Sequence, residues 1–148
     1  MRKLLVAVSF VCAVAFARAD VTWSWWMNRE NATTDFSFGI ASKCAAVDTF
    51  EFSVLYSASS VRDGVQWTFF GLNDSDADCA LQLAFFNRGN DPCVQLGLIN
   101  IANDPVLDLG FVNVADDAKF QIGLLNFNKS GFLPVFVFVN FNPSIFTE

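Results

Sequence analysis

The sequence predicts an all-β fold built from a tandem repeat, and three observations support this. Short apolar runs alternate with period 2, so that Val94, Leu96 and Leu98 share one side of an extended chain. The links between runs are rich in Asn, Asp, Pro and Gly, which favour turns. The runs recur at steps of 13 or 14 residues, and each ends in an asparagine: Asn73, Asn87, Asn100, Asn113, Asn126 and Asn140.

Two architectures fit this repeat, of which we count about eight copies between residues 36 and 142. A strand of about nine residues with a four-residue turn predicts an antiparallel meander or a small up-and-down barrel of about eight strands. The alternative is a parallel β-solenoid with 13–14-residue units, in which equivalent residues of successive coils stack. Near-identical units favour the solenoid, whereas short, turn-rich links favour the meander. We take the meander or barrel as the main prediction.

The N-terminal residues predict export. Residues 1–19 have a basic start, an apolar stretch of 13 residues and the Ala17-Arg18-Ala19 pattern of a signal peptide. The alternative, a membrane anchor, needs about 20 apolar residues. The remaining chain divides into an aromatic N-terminal segment (20–35), a single β-repeat domain (36–142) and a C-terminal tail (143–148). Tryptophans in the aromatic segment would lie at a membrane interface or plug the core.

Charge and composition exclude several classes of function. Removing Arg2, Lys3 and Arg18 from 9 basic residues leaves six against 15 acidic ones, a net charge of −9. This acidic balance argues against binding to nucleic acid or to anionic lipid. The chain has no histidine, the commonest general base and metal ligand. We therefore predict a protein that is not an enzyme and that needs no cofactor.

Three cysteines follow the predicted signal peptide: Cys44, Cys79 and Cys93. In a meander, Cys44 and Cys79 lie at the same end of the sheet, whereas Cys79 and Cys93 lie at opposite ends. We therefore predict that any disulfide joins Cys44 to Cys79. A Cys79–Cys93 bond would instead favour the solenoid, because there the two positions are close.

One acidic segment resembles a calcium loop. Asp74, Asp76 and Asp78 alternate along the chain, as calcium ligands do, but Cys79 and Phe85 stand where an EF-hand loop needs Gly and Glu. The simpler interpretation is a solvated acidic turn, and we predict no firm metal site.

Glutamine and glycine also recur at fixed positions of the unit. The glutamines form a polar lining, a ladder of amides bonded between strands, or the wetter side of a sheet. The glycines mark close backbone approach or barrel curvature. The members of both sets are Gln66, Gln82, Gln95 and Gln121, and Gly97, Gly110 and Gly123.

Residues 94–100 and 120–126 resemble the tandem Gly-Val-Gln-Ile-Gly-Leu-x-Asn repeats of a group of bacterial cell-surface and outer-envelope proteins. The chain departs from that unit at Ala84 and Asp108, where the group has Gly and Gln. The resemblance spans roughly residues 65–142 and implies an envelope location but no activity. We expect an exported, non-enzymatic protein of the periplasm, outer membrane or cell surface that binds lipid or an envelope protein. The alternative is a small barrel that carries an apolar ligand.

Overall fold

The protein is a parallel β-solenoid with about seven turns of about 14 residues. This computed structural model describes residues 19–26, 29–61, 64–75 and 80–146. The all-β prediction is confirmed, and the solenoid alternative is correct. The meander or barrel is wrong, because equivalent strands of successive coils run parallel and pair in register. The predicted signal peptide lies outside the described residues, apart from Ala19.

The described residues form thirteen strands and one short 3₁₀ helix. In chain order the elements are β1 (Val21–Trp26), β2 (Arg29–Ser42), β3 (Cys44–Ser57), β4 (Val65–Thr68), β5 (Leu72–Ser75), β6 (Leu81–Leu83), β7 (Phe86–Gly89), β8 (Val94–Leu96), β9 (Ile99–Ala102), β10 (Leu107–Leu109), β11 (Val112–Ala115), β12 (Phe120–Asn128), β13 (Val135–Phe141) and the 3₁₀ helix (Pro143–Phe146).

Each coil in the middle of the solenoid contains two short strands, which belong to two different stacks. The first stack consists of β4, β6, β8, β10 and the start of β12, and the second consists of β5, β7, β9, β11 and the end of β12. The longer strands β2 and β3 extend both stacks toward the N-terminus. The strand of the aromatic segment, β1, pairs with β2 as a further coil of the first stack.

The corner between the two strands explains why the meander prediction failed. Val94, Gln95 and Leu96 form one strand, and the next strand begins only three residues later at Ile99. Within each strand the side chains alternate, but Leu98 and Ile99 both point outward, so the alternation changes phase there. The predicted nine-residue strand is therefore two strands of three or four residues joined by a sharp corner.

The interior of the solenoid is polar, which reverses the usual arrangement. The largest fully buried side chains are mostly amides, including Gln95 and Asn100, both with no exposed surface. In the repeated coils the buried apolar residues are small, such as Ala102 and Ala115. The only apolar cluster among the described buried residues is Cys44, Val47 and Val61 in the early coils. Large apolar side chains point outward instead.

The recurring glycines make room for this interior. A Cβ atom on Gly110 would lie 2.7 Å from Asn100 Nδ2, 2.9 Å from Asn113 Oδ1 and 2.7 Å from the Gly97 carbonyl oxygen. None of the described glycines has a positive φ. The glycines are thus required by close approach, which was one of the two predicted explanations.

The last strand closes the C-terminal end of the solenoid. β13 is antiparallel to β12, unlike the other described pairings. Asn140 Nδ2 donates to the Leu133 carbonyl oxygen over 2.9 Å, so this asparagine turns back to its own segment. Phe138 within β13 has a φ of 69°, beside an irregularity in the pairing.

We predict that Gly110→Ala destabilises the fold by about 1–3 kcal/mol, since the new methyl group overpacks the interior. Urea denaturation measures the change. Ala84→Gly is the matched control: Ala84 occupies the equivalent position one coil before Gly97, so its loss should cost at most about 1 kcal/mol. Equal stability of Gly110→Ala and the native chain would contradict the close-approach explanation.

Candidate functional site

Two ladders of side-chain amides run through the solenoid interior. Gln82 Nε2 donates to Gln66 Oε1 over 2.8 Å, and Gln95 Nε2 donates to Gln82 Oε1 over 2.6 Å. The asparagines form a second ladder in the other stack, each donating to the next: Asn73 to Asn87 (3.0 Å), Asn87 to Asn100 (2.9 Å), Asn100 to Asn113 (2.8 Å) and Asn113 to Asn126 (2.7 Å). Of the three interpretations of the glutamines, the ladder is the one observed.

The asparagine ladder also satisfies the backbone. Asn100 Nδ2 uses its second hydrogen for the Leu109 carbonyl oxygen, 2.9 Å away, and Asn113 Nδ2 does the same with Ile122 over 3.1 Å. Each amide thus links its own coil to the next through a side chain and a carbonyl. Buried amides with both donors satisfied are stable in a water-free interior, where an unpaired one would cost about 1–3 kcal/mol.

Asp108 interrupts the glutamine ladder. It pairs in register with Gln95 on one side and Gln121 on the other, and it is fully buried. Gln121 Nε2 reaches Asp108 Oδ2 at 3.4 Å, whereas Asp108 Oδ1 and Gln95 Oε1 have no hydrogen-bond partner. A protonated carboxyl would donate to Gln95 Oε1 as an amide does. Burial raises the pKa of Asp108 to about 7, although the hydrogen bond from Gln121 acts to lower it.

A second buried carboxyl, Glu51, occupies the ladder position in an earlier coil. Ser57 and Ser59 donate to its two oxygens, the latter over 2.5 Å, and Gln66 Nε2 lies 3.1 Å from Oε2. Glu51 has no exposed surface. Its hydroxyl and amide partners satisfy it inside the fold, so it links early coils.

The outer side of the first stack is entirely apolar over eight strands, and we call it face A. Two rows of side chains lie there, one on each side of the buried ladder position, in register from coil to coil. The first row is Val21, Phe36, Phe50, Val65, Leu81, Val94, Leu107 and Phe120; the second is Trp23, Phe38, Phe52, Trp67, Leu83, Leu96, Leu109 and Ile122. Seven strand intervals of about 4.8 Å make face A about 34 Å long.

The apolar surface continues around the corner onto the second stack. A corner row stacks through backbone bonds such as Leu98 N to Phe85 O and Phe111 N to Leu98 O, both 2.9 Å. Phe111 is 56% exposed and Leu124 53%. The corner row is Phe85, Leu98, Phe111 and Leu124, and Phe70 extends it with its ring centroid 6.1 Å from that of Phe85. The adjoining row of the second stack is Leu72, Phe86, Ile99, Val112 and Leu125. We call face A and these two rows together the apolar band.

The opposite corner, where the second strand of one coil leads to the first strand of the next, is polar. Its turns stack through backbone bonds such as Asn103 N to Asn90 O (2.9 Å) and Asp116 N to Asn103 O (3.1 Å). Partial burial and the neighbouring carboxylates raise the pKa of Asp104. Lys129 Nζ lies 2.6 Å from Asp116 Oδ1. We call this side the acidic edge; it comprises Asn90, Asp91, Asn103, Asp104, Asp116, Asp117, Lys119 and Lys129.

The predicted metal and disulfide residues are only partly within the described chain. Asp76, Asp78 and Cys79 lie outside it. Asp74 faces Arg88, with Oδ1 4.0 Å from Nε, and no group of three His, Cys, Asp or Glu among the described residues could hold a metal ion. Cys44 is a buried free thiol and Cys93 an exposed one. The argument for a Cys44–Cys79 bond no longer holds, since it required the meander.

The tryptophans of the aromatic segment do not plug the core. Trp23, Trp25 and Trp26 are 68%, 76% and 66% exposed. Trp23 stacks on Phe38 with ring centroids 5.2 Å apart, and together they line an open apolar groove of about 460 Å³ on the outer surface. The aromatic segment therefore forms the N-terminal end of the apolar band.

Sequence reasoning found the amide positions but missed the apolar band. The signal was present, because four of the corners place two large apolar residues next to each other, as in Phe85-Phe86 and Leu98-Ile99. Such a pair breaks a period of 2 and cannot lie on the same side of one continuous strand.

Comparisons with family models, with curated proteins and with solved structures give no match to this chain. Among the described residues, none belongs to a helix long and apolar enough to cross a membrane.

We predict that the fold loses stability as the pH rises from about 4 to about 7. The carboxyl of Asp108 has a pKa of about 7 in the folded chain against 3.8 ordinarily, so the folded state binds its proton more tightly. The stabilisation is complete below pH 4 and is lost by about pH 7, an effect on the order of 4 kcal/mol.

Chemical denaturation across this pH range measures the dependence, and Asp108→Asn should flatten it and stabilise the protein at pH 7. Asp91→Asn, an exposed change of the same charge, controls for net charge and should leave the slope in place. If the free energy of unfolding of Asp108→Asn depends on pH as steeply as that of the native chain, Asp108 is not the cause of the dependence.

Proposed function

We propose that the protein is a non-enzymatic, exported β-solenoid of the bacterial cell envelope that acts by binding an apolar surface through its apolar band. One observation supports this above the others: the protein buries amides and exposes its large apolar side chains. Monomeric soluble proteins rarely expose contiguous apolar patches above a few hundred Å². A band of stacked rows about 34 Å long is therefore typical of a surface that is covered in use.

The energetics favour a covered band. Fully burying a Leu or Phe side chain contributes about 1.5–3 kcal/mol relative to leaving it in water. In this fold part of that free energy is not gained on folding, because the corner and face A side chains remain half-buried or exposed. It is available for association with lipid or with an apolar partner protein instead.

The alternative function, a barrel that carries an apolar ligand inside, loses its structural basis. The fold is a solenoid rather than a barrel. Its interior between the two stacks is occupied by amides such as Gln95 and Asn100, which are hydrogen-bonded to neighbouring coils. An apolar ligand would have to displace these bonds, so the inside is not a carrier site.

Fractionation of the producing cell tests the proposal. We expect the native protein to remain with the envelope at high salt and to be released by detergent, because the hydrophobic effect is not screened by ions. The combined variant Leu98→Ser, Phe111→Ser and Leu124→Ser should shift at least tenfold toward the soluble fraction. Each lost side chain removes about 1.5–3 kcal/mol of burial.

A matched control changes the opposite side of the same coils. Asn90→Ser, Asn103→Ser and Asp116→Ser together should leave the distribution as it is, since these residues lie on the acidic edge. Circular dichroism of both variants checks that the solenoid is intact. The proposal would be refuted if the native protein were wholly in the soluble fraction. It would also be refuted if both triple variants shifted equally toward that fraction.

A further inference from the structure

We propose that the apolar band binds a zwitterionic lipid surface side-on, with the solenoid axis parallel to the membrane plane and the acidic edge in water. This inference rests on the proposed function and adds the partner, the lipid charge and the orientation. The main support is that apolar and charged side chains lie on different sides of the solenoid axis. Face A and the corner row have no charged side chain, whereas four carboxylates and two lysines line the opposite corner.

The position of the acidic edge determines the orientation. Its turns stack coil upon coil, from Asn90 through Asn103 and Asp116 to Ser130, by backbone bonds of 2.9, 3.1 and 3.1 Å. The edge therefore runs along the axis as far as the last coil, beside the apolar strand β13. Insertion with the C-terminal end leading would carry Asp116, Asp117 and Lys129 into hydrocarbon, where charged side chains are costly. Side-on binding leaves all of them in water.

The sign of the edge determines the lipid. Asp91, Asp104, Asp116 and Asp117 outnumber Lys119 and Lys129, and the pKa of Asp104 is raised in part by its carboxylate neighbours. At low salt, where the Debye length is about 30 Å, these carboxylates would sense the charge of the headgroups. An anionic membrane would repel them, whereas a zwitterionic one would not. The partner is therefore a phosphatidylcholine- or phosphatidylethanolamine-type surface, held by hydrophobic contact.

The shape of the apolar band favours lipid over a second copy of the chain. Face A is the outer side of one stack, but the corner row and the row of Val112 lie around the bend on another side. A second solenoid packed flat on face A would leave Phe111 and Leu124 in water, at 56% and 53% exposure. A fluid acyl layer follows a convex surface and covers all the rows at once.

Depth measurement on phosphatidylcholine vesicles tests the inference. Single labels are attached at Leu98→Cys and Leu109→Cys on the apolar band and at Asp104→Cys on the acidic edge. The background is Cys79→Ser and Cys93→Ser, and Cys44 stays because it is buried. We expect spin-labelled acyl chains to quench the first two labels and aqueous iodide to quench the third. Labels at Phe85→Cys and Leu124→Cys, in one row but different coils, should report the same depth.

Two further readouts complete the test. Phe111→Ser should weaken vesicle binding about tenfold, and Asp104→Ser should not weaken it. Replacing part of the phosphatidylcholine with phosphatidylglycerol should weaken binding several-fold at low salt. Tighter binding to the anionic vesicles, a depth gradient from Phe85 to Leu124, or equal iodide access at all labels would overturn the inference.

A specific result separates this inference from the proposed function. If the protein fails to bind vesicles and sediments as a dimer that shields Leu109, then a second copy covers the band and the lipid inference is wrong. Salt-resistant retention in the envelope fraction would still support the proposed function in that case. If the native protein neither binds vesicles nor remains in the envelope fraction, the proposed function itself is wrong.

Discussion

The hydrogen-bonded amide ladders determine the strand direction, the spacing of the repeat and the positions of the small residues in this fold. Each rung joins a side chain to its equivalent one coil away, as from Asn100 to Asn113 over 2.8 Å. Such a rung forms only if successive strands are parallel and in register, which fixes the 13–14-residue spacing. It also requires a small residue beside each rung, since a Cβ on Gly110 would lie 2.7 Å from Asn100 Nδ2. The 13–14-residue repeat in the sequence thus follows from the hydrogen bond between equivalent side chains of successive coils.

The inverted exterior follows from the same constraint. A coil whose strands have three or four residues encloses little space, and the ladder amides fill it together with small residues such as Ala102 and Ala115. Large apolar side chains are left outside, where they stack along the axis. The interior therefore contains hydrogen-bonded amides where most folds have an apolar core. Covering the apolar band by a partner would add stability by mass action, so binding and folding are linked.

Part of this structure could be predicted from the residues. The spacing of Asn73 to Asn140 predicts a repeat, the alternation predicts strands, and the repeated glutamines predict a ladder among other arrangements. The parallel sense could not be derived, because period-2 alternation is the same in a parallel and an antiparallel strand. At the corner between Leu98 and Ile99 the inward and outward alternation of side chains changes phase. A prediction based on continuous strands does not detect this change.

The inside and outside of the fold were the harder question. Apolar residues are usually buried, so Val94 and Leu96 would ordinarily be placed in the core and Gln95 on the surface. The structure reverses this, since ladder bonds such as Gln95 to Gln82 at 2.6 Å can form only between side chains that face one another in the interior. Asp108 also lies in the interior, and its carboxyl would need a proton to donate a hydrogen bond to Gln95.

A reciprocal exchange of polarity at two adjacent positions tests whether amides, and not large apolar side chains, form the interior. Asn113→Val removes the acceptor of Asn100 Nδ2 and the donor to Asn126 and Ile122. Val112→Asn adds a polar group to the outer row. Free energies of unfolding from urea denaturation should fall by about 3 kcal/mol or more for Asn113→Val and by no more than about 1 kcal/mol for Val112→Asn. The opposite order would show that Val112 packs in an apolar core and would contradict the inverted solenoid.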